Sequence, residues 1–296
     1  MSFLLNVIKG IMIGIANVIP GVSGGTMAVS LGIYDRLLGS ISGLFRHLRE
    51  SISFLCPILL GCAIGIIGFT YTIEYLLSSH TFITCMAFVG LILGGLPALW
   101  KSLNARRQES GASIGFSGAA AFLLGFLICA GFSFLKSGEG ITAELTVTPL
   151  NMIILFVLGV VASATMVIPG VSGSMILMIL GYYYAIIGTI TTFLDGVRAL
   201  DFAVVRDGFL LLFPFGVGVL LGIFLIARLI TFLFERFGVQ TYCAIMGLVI
   251  ASPFAIFYNT GLFPMLPSLS IWAVLLGILL MAAGAVITNL VGEAGN

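Results

Sequence analysis

One seven-residue string, Val-Ile-Pro-Gly-Val-Ser-Gly, stands at Val18–Gly24 and again at Val167–Gly173, 149 residues apart in a chain of 296. Between Val18–Tyr34 and Val167–Tyr183, ten of seventeen positions are identical. One copy in each half predicts an internal duplication, and other matches extend it. Pro57, Gly61, Gly65, Thr84, Ala87 and Gly90 recur 157 residues on as Pro214, Gly218, Gly222, Thr241, Ala244 and Gly247. Ala121, Leu124 and Gly125 recur as Ala273, Leu276 and Gly277. The changing offset places loops of different length in the two halves.

Both copies lie in long apolar runs. Hydrophobic residues make up 60% of the chain and charged residues 8%, where a soluble domain carries about a quarter charged. The chain therefore folds in a bilayer. A net charge of +1 offers no basic surface for nucleic acid. Cys56, Cys62, Cys85, Cys129 and Cys243 sit in apolar segments without disulfide or metal spacing and read as packing residues. No cofactor motif or nucleotide-binding P-loop is present. Met1–Gly10 lacks the basic start and cleavage site of a signal peptide, so it reads as mature protein.

An apolar helix needs about 20 residues to cross hydrocarbon. The expected fold is an all-α polytopic membrane protein of two inverted-topology repeats, each a re-entrant broken-helix hairpin plus three transmembrane helices. The first repeat, 1–148, holds a hairpin at 3–38 and helices at 53–78, 82–100 and 113–135. The second, 149–296, holds a hairpin at 150–192 and helices at 209–233, 239–257 and 269–291. Two full crossings in place of each hairpin remain open, because residues 172–194 are apolar enough. Either way each half crosses an odd number of times, so the second half enters from the opposite side. Basic residues agree with cytoplasmic termini: Lys9, Arg36, Arg46, Arg49, Lys101, Arg106, Arg107, Arg228 and Arg236 fall inside, and Lys136, Arg198 and Arg206 outside. Glu139, Glu144, Asp195, Asp201 and Asp207 also fall outside.

The break carries the chemistry. Pro20 cannot donate a backbone hydrogen bond and Gly21 weakens the helix further. A second arm starts near Ser23, a good N-cap residue. Its amides at Ser23, Gly24, Gly25 and Thr26 are expected to point into the membrane midplane, as are those at Ser172, Gly173, Ser174 and Met175. Non-helical backbone at that depth lines a cavity or is buried in protein, and helix N-termini with Gly and Ser favour anions. A phosphate between two such tips is the favoured reading. A cation on the carbonyls ending the first arms, aided by Asn17 or Thr165, is the alternative.

Few other polar residues sit in apolar segments. Glu74 lies near the outer end of its segment and is a candidate for a coupling proton or sodium ion. Arg228 and Arg36 are candidates for attracting an anionic headgroup. Asp35 and Arg36 form either a plain interfacial pair or a contact at the hairpin mouth. His47 and His80 stand apart from the motif, and no nucleophile, base or metal cluster converges on it, so an enzyme is not expected.

With its duplicated motif, NVIPGVSGGT and then MVIPGVSGSM, the chain resembles the polyprenyl-phosphate (undecaprenyl-phosphate) translocase family over nearly its whole length. The resemblance implies a transporter in the cytoplasmic membrane of a prokaryote. It would return undecaprenyl phosphate, or a related polyprenyl phosphate, to the cytoplasmic leaflet for cell-envelope synthesis. It marks Pro20, Gly21, Ser23, Gly24 and Gly25, with Pro169, Gly170, Ser172 and Gly173, as the positions matching the family's motif. Ser174 replaces Gly25 in the second copy, which makes the two half-sites inequivalent. The residues alone stop at a secondary transporter of an anion; an ion-coupled transporter of a soluble anion or cation is the other reading. Inward movement of a lipid anion opposes a negative interior by about 2.3 kcal/mol per charge per 100 mV, so a co-transported cation would offset it.

Overall fold

The computed structural model describes residues 3–19, 22–111, 113–135, 143 and 145–293. Pro20 and Gly21, and Lys136, Glu139 and Glu144, lie outside these residues. Among the described residues every regular element is helical. Helix α1 (Phe3–Val18) has 16 residues, about 24 Å at 1.5 Å each, which is short of the roughly 30 Å hydrocarbon layer. Across the motif, α2 (Gly24–Ser30) adds seven residues and α3 (Tyr34–Ser42) nine. The long apolar helices follow: α4 (Leu48–Ser79), α5 (Thr81–Leu93) running on into α6 (Leu96–Ser110), and α7 (Gly115–Phe134).

In the second half, α8 (Pro149–Val167), α9 (Gly173–Ile179) and α10 (Tyr183–Ala199) flank the second motif copy. Read from sequence as a hairpin arm, α8 has 19 residues and is itself long enough to cross. The next helix, α11 (Phe202–Asn259), has 58 residues, about 87 Å, nearly three hydrocarbon thicknesses. It is not one rod, because Phe237 leaves helical geometry at φ −130°. The last helix is α12 (Ile271–Glu293). Among the described residues, six helices are long and apolar enough to cross a membrane. Phe116, Tyr71 and Trp272 stand 91%, 83% and 77% exposed on three of them, a surface that water would not tolerate.

The chain divides into two compact units. The first holds residues 1–134, 168–171 and 227–296; the second holds 135–167 and 172–226. Small residues set the packing in each. In the first, α1 crosses α4 so closely that a Cβ on Gly61 would lie 2.1 Å from the Val7 carbonyl oxygen, and one on Gly10 2.2 Å from that of Ile58. In the second, the corresponding residues do the same: a Cβ on Gly218 would lie 2.1 Å from the Phe156 oxygen, and one on Gly159 2.3 Å from that of Phe215. Leu155, Leu158 and Ala162 of α8 complete that unit's core with Leu177, Ile186 and Leu211. Back in the first unit, Gly90 of α5 meets the Met281 backbone of α12, and Gly247 of α11 meets the Phe122 backbone of α7. By the repeat register, each half's second long segment packs on the third of the other half.

Lys9 differs from its expected place at a cytoplasmic end. It lies on the packed face of α1, fully buried, and its Nζ donates to the Leu31 carbonyl at 3.1 Å. An ammonium is well placed there, because Leu31 caps the carbonyl end of α2.

Candidate functional site: the two motif corners

Each copy of the motif breaks a helix and starts another. At the first, the Val22 amide donates to the Ile19 carbonyl at 3.2 Å; at the second, the Val171 amide donates to that of Ile168 at 3.4 Å. Ser23 and Ser172 then turn extended, at φ −107° and −105°, and act as the N-caps of α2 and α9.

The surroundings of the two serines differ. The Ser23 Oγ accepts the Thr26 amide at 3.1 Å and lies 3.0 Å from the Thr26 hydroxyl. The Gly24 amide donates to Asn17 Oδ1 at 2.9 Å. Two of the amides expected to face the midplane are therefore already satisfied, and the Asn17 oxygen proposed for a cation is engaged. Thr165, the other such candidate, donates its hydroxyl to the Ala162 carbonyl at 2.8 Å.

Ser23 and Thr26 also hold the second corner. The Gly170 amide donates to Thr26 Oγ1 at 2.7 Å and to Ser23 Oγ at 3.2 Å. Gly170 has φ +78°, the left-handed region where only glycine is unstrained. A Cβ there would also lie 2.8 Å from the Cys129 sulfur, whose thiol donates to the Gly170 carbonyl at 3.3 Å. Ser23, Thr26, Pro169 and Gly170 are all buried, so this latch is closed to solvent and lipid. Gly25 is buried beside it.

Among the described residues Ser172 has no comparable partners. Met175 stands where Thr26 stands in the first copy, and no side chain caps α9. The Ser172 hydroxyl instead lies 2.8 Å from that of Ser174, the residue replacing Gly25. Ser172 is half-buried and Ser174 exposed. Gly173 lies so close to α8 that a Cβ would sit 2.4 Å from the Ala162 oxygen. Between α9 and α10 the axis bends by 107°.

The remaining candidates are dispersed. The Arg36 guanidinium sits 4.3 Å over the Phe54 ring. Glu74 is exposed on α4, and Arg228 is exposed on α11. Among the described residues no hydrogen bond or ion pair joins Arg36 or Glu74 to the motif, and no three His, Cys, Asp or Glu residues are grouped to hold a metal ion. Asp35 pairs with the Tyr242 hydroxyl rather than with Arg36.

Membrane-length apolar helices, an apolar outer surface and a helix broken at the same motif in each half define a multi-pass membrane protein. A family model described as undecaprenyl phosphate translocase-like matches residues 13–266, which include both corners, and the chain belongs to that family. It is 32% identical over 255 residues to the polyprenyl-phosphate transporter of Staphylococcus aureus, covering 86% of either chain. It is 29% identical over 268 residues to the polyprenyl-phosphate transporter of Vibrio cholerae, covering 85% of this chain and 77% of that one. No solved structure matches.

Proposed function

We propose that this protein moves undecaprenyl phosphate, or a related polyprenyl phosphate, across the cytoplasmic membrane to recycle the lipid carrier. The phosphate is held by the motif corners. The observation that carries this reading is the Ser172–Ser174 hydroxyl pair at the uncapped start of α9. Among the described residues these two hydroxyls bond only with each other, so a phosphate that parts them can accept from both, whereas the Ser23 and Thr26 oxygens are engaged with the Gly170 amide. The second corner therefore takes the headgroup in this conformation, and opening of the Gly170 latch makes the first corner available in another.

We further infer two inverted repeats, 1–148 and 149–296, with both termini cytoplasmic and the motif arms re-entrant. The glycine crossings repeated at Gly10–Gly61 and Gly159–Gly218 support the repeat, the basic-residue bias supports the cytoplasmic termini, and the short α1 supports a re-entrant first arm, whereas α8 is long enough to cross by itself. The binding test uses purified protein with a fluorescent polyprenyl monophosphate and the matching uncharged prenol. Ser172→Ala/Ser174→Ala should weaken the monophosphate by about 1–3 kcal/mol for two lost hydroxyl bonds and leave the prenol unchanged. Equal monophosphate affinity in wild type and double variant would remove these serines from the site.

A further inference from the structure

A second polar centre lies at the end of the first motif arm. After α2, the chain turns tightly: the Gly32 amide donates to Val29 at 3.0 Å and the Ile33 amide to Ala28 at 3.1 Å. Leu31, Ile33 and Tyr34 are buried, so the next residue, Asp35, is fixed rigidly to the arm. Its carboxylate accepts a hydrogen bond from the Tyr242 hydroxyl of α11. A cleft of about 380 Å³, lined by Asp35, Ser102, Arg106, Thr231 and Tyr242 among others, opens beside the pair and gives water a route to it.

The charges around this carboxylate are committed elsewhere. On its own helix, Arg36 lies over Phe54, and Tyr34 is buried edge-on to Phe234 at 6.5 Å. From α6, Arg106 pairs with Glu109 at 3.2 Å and donates to the carbonyls of Phe234 at 3.1 Å and Glu235 at 3.3 Å. From α11 come Tyr242 and Glu235. Among the described residues Asp35 thus faces a phenol and no ion-paired cation. An arginine partner would hold a carboxylate ionised; this one is free to cycle. Asp35 is itself solvent-accessible at the cleft; the protein packed around its carboxyl pushes it above the usual range, and the Tyr242 bond opposes that.

We propose that Asp35 carries the proton that travels with the lipid phosphate. This rests on the transport reading above. Water on one side protonates the carboxylate to the neutral acid, and the proton returns to water on the other side; Tyr242 keeps its own proton throughout. One proton per lipid cancels one unit of the negative charge that the membrane potential opposes. The site takes a proton and not the headgroup, because the Asp35 charge repels phosphate. Glu74 on α4 is exposed like Asp35, but among the described residues no phenol hydroxyl donates to it and it does not line this cleft.

Two measurements test it. Infrared titration of the protein in nanodiscs needs no transport. It should show a carboxyl signal that titrates above the ordinary carboxylate range, disappears in Asp35→Asn, and moves to higher pH in Tyr242→Phe, where the bond favouring the ionised form is gone. A signal insensitive to both changes overturns the proposal. In proteoliposomes with fluorescent polyprenyl monophosphate, an inward-directed gradient of about one pH unit should raise the lipid's steady-state ratio about ten-fold for one coupled proton. In Asp35→Asn the ratio should stay at its value without a gradient, while lipid exchange without a gradient continues. Full stimulation in Asp35→Asn, or its loss in Glu74→Gln instead, overturns the assignment. The predicted titration with no lipid movement by wild type would sink the transport reading and the proton's role with it.

Discussion

Removing Thr26 should loosen the latch between the two motif copies by a calculable amount. Thr26→Val keeps the shape and deletes the oxygen that accepts the Gly170 amide at 2.7 Å and lies 3.0 Å from Ser23 Oγ. Gly170 then retains only Ser23 Oγ at 3.2 Å. That loss should destabilise the corner by about 1 kcal/mol, the net worth of a typical hydrogen bond. Ser23→Ala alone removes the longer acceptor and the α2 cap, worth about 0.5–2 kcal/mol. The double change leaves a buried amide without either acceptor, which adds a desolvation cost of about 1–3 kcal/mol. The effects should therefore be more than additive, as expected for partners in one network. Cys129, wholly buried against Gly170, reports the opening. With the other four cysteines replaced, its alkylation rate should rise about ten-fold for each 1.4 kcal/mol of lost closure. An unchanged Cys129 rate in the double variant, or a strictly additive cycle, would refute the latch.

Other outcomes follow from the same packing. Gly61→Leu and Gly218→Leu should each abolish the folded yield in detergent, measured by size-exclusion chromatography, because even a Cβ would lie 2.1 Å from a facing carbonyl oxygen; a monodisperse yield equal to wild type contradicts the close crossings. Gly24→Val should displace Asn17, whose amide lies 2.8–2.9 Å from a Cβ at that site, and weaken lipid binding more than Ser23→Ala does in the same titration. Single cysteines at the exposed positions Glu50 and Asp201 should react with an impermeant reagent from opposite sides of intact cells; labelling from one side would refute the inverted repeat.

Much of the helical framework was legible because the bilayer demands long apolar runs and the glycine matches mark where backbones touch. Gly61 and Gly218 were visible as repeats before their contacts were known. The break at Phe237 was bracketed by the charged Glu235–Arg236 stretch between two apolar runs. Long-range partners were not legible. Thr26 and Gly170 are 144 residues apart, and Asp35 and Tyr242 are 207 apart; nothing local signals either pair. Lys9 read as an end charge because its position near the terminus conceals that its ammonium caps α2. The engaged state of the first corner was also hidden. The motif shows that Ser23 can cap a helix, but not that Asn17 and Gly170 bond with the groups around it.

The central claim is that the motif corners carry a lipid phosphate across the membrane. Purified protein in proteoliposomes, with fluorescent polyprenyl monophosphate followed by an impermeant quencher, measures this directly. Wild type should bring the label to the quencher faster than empty vesicles do, and Ser172→Ala/Ser174→Ala should slow it. Applying about 1–3 kcal/mol to the rate gives a loss of about five-fold to more than a hundred-fold. Quenching no faster than in empty vesicles, or equally fast in the double-serine variant, would contradict the account.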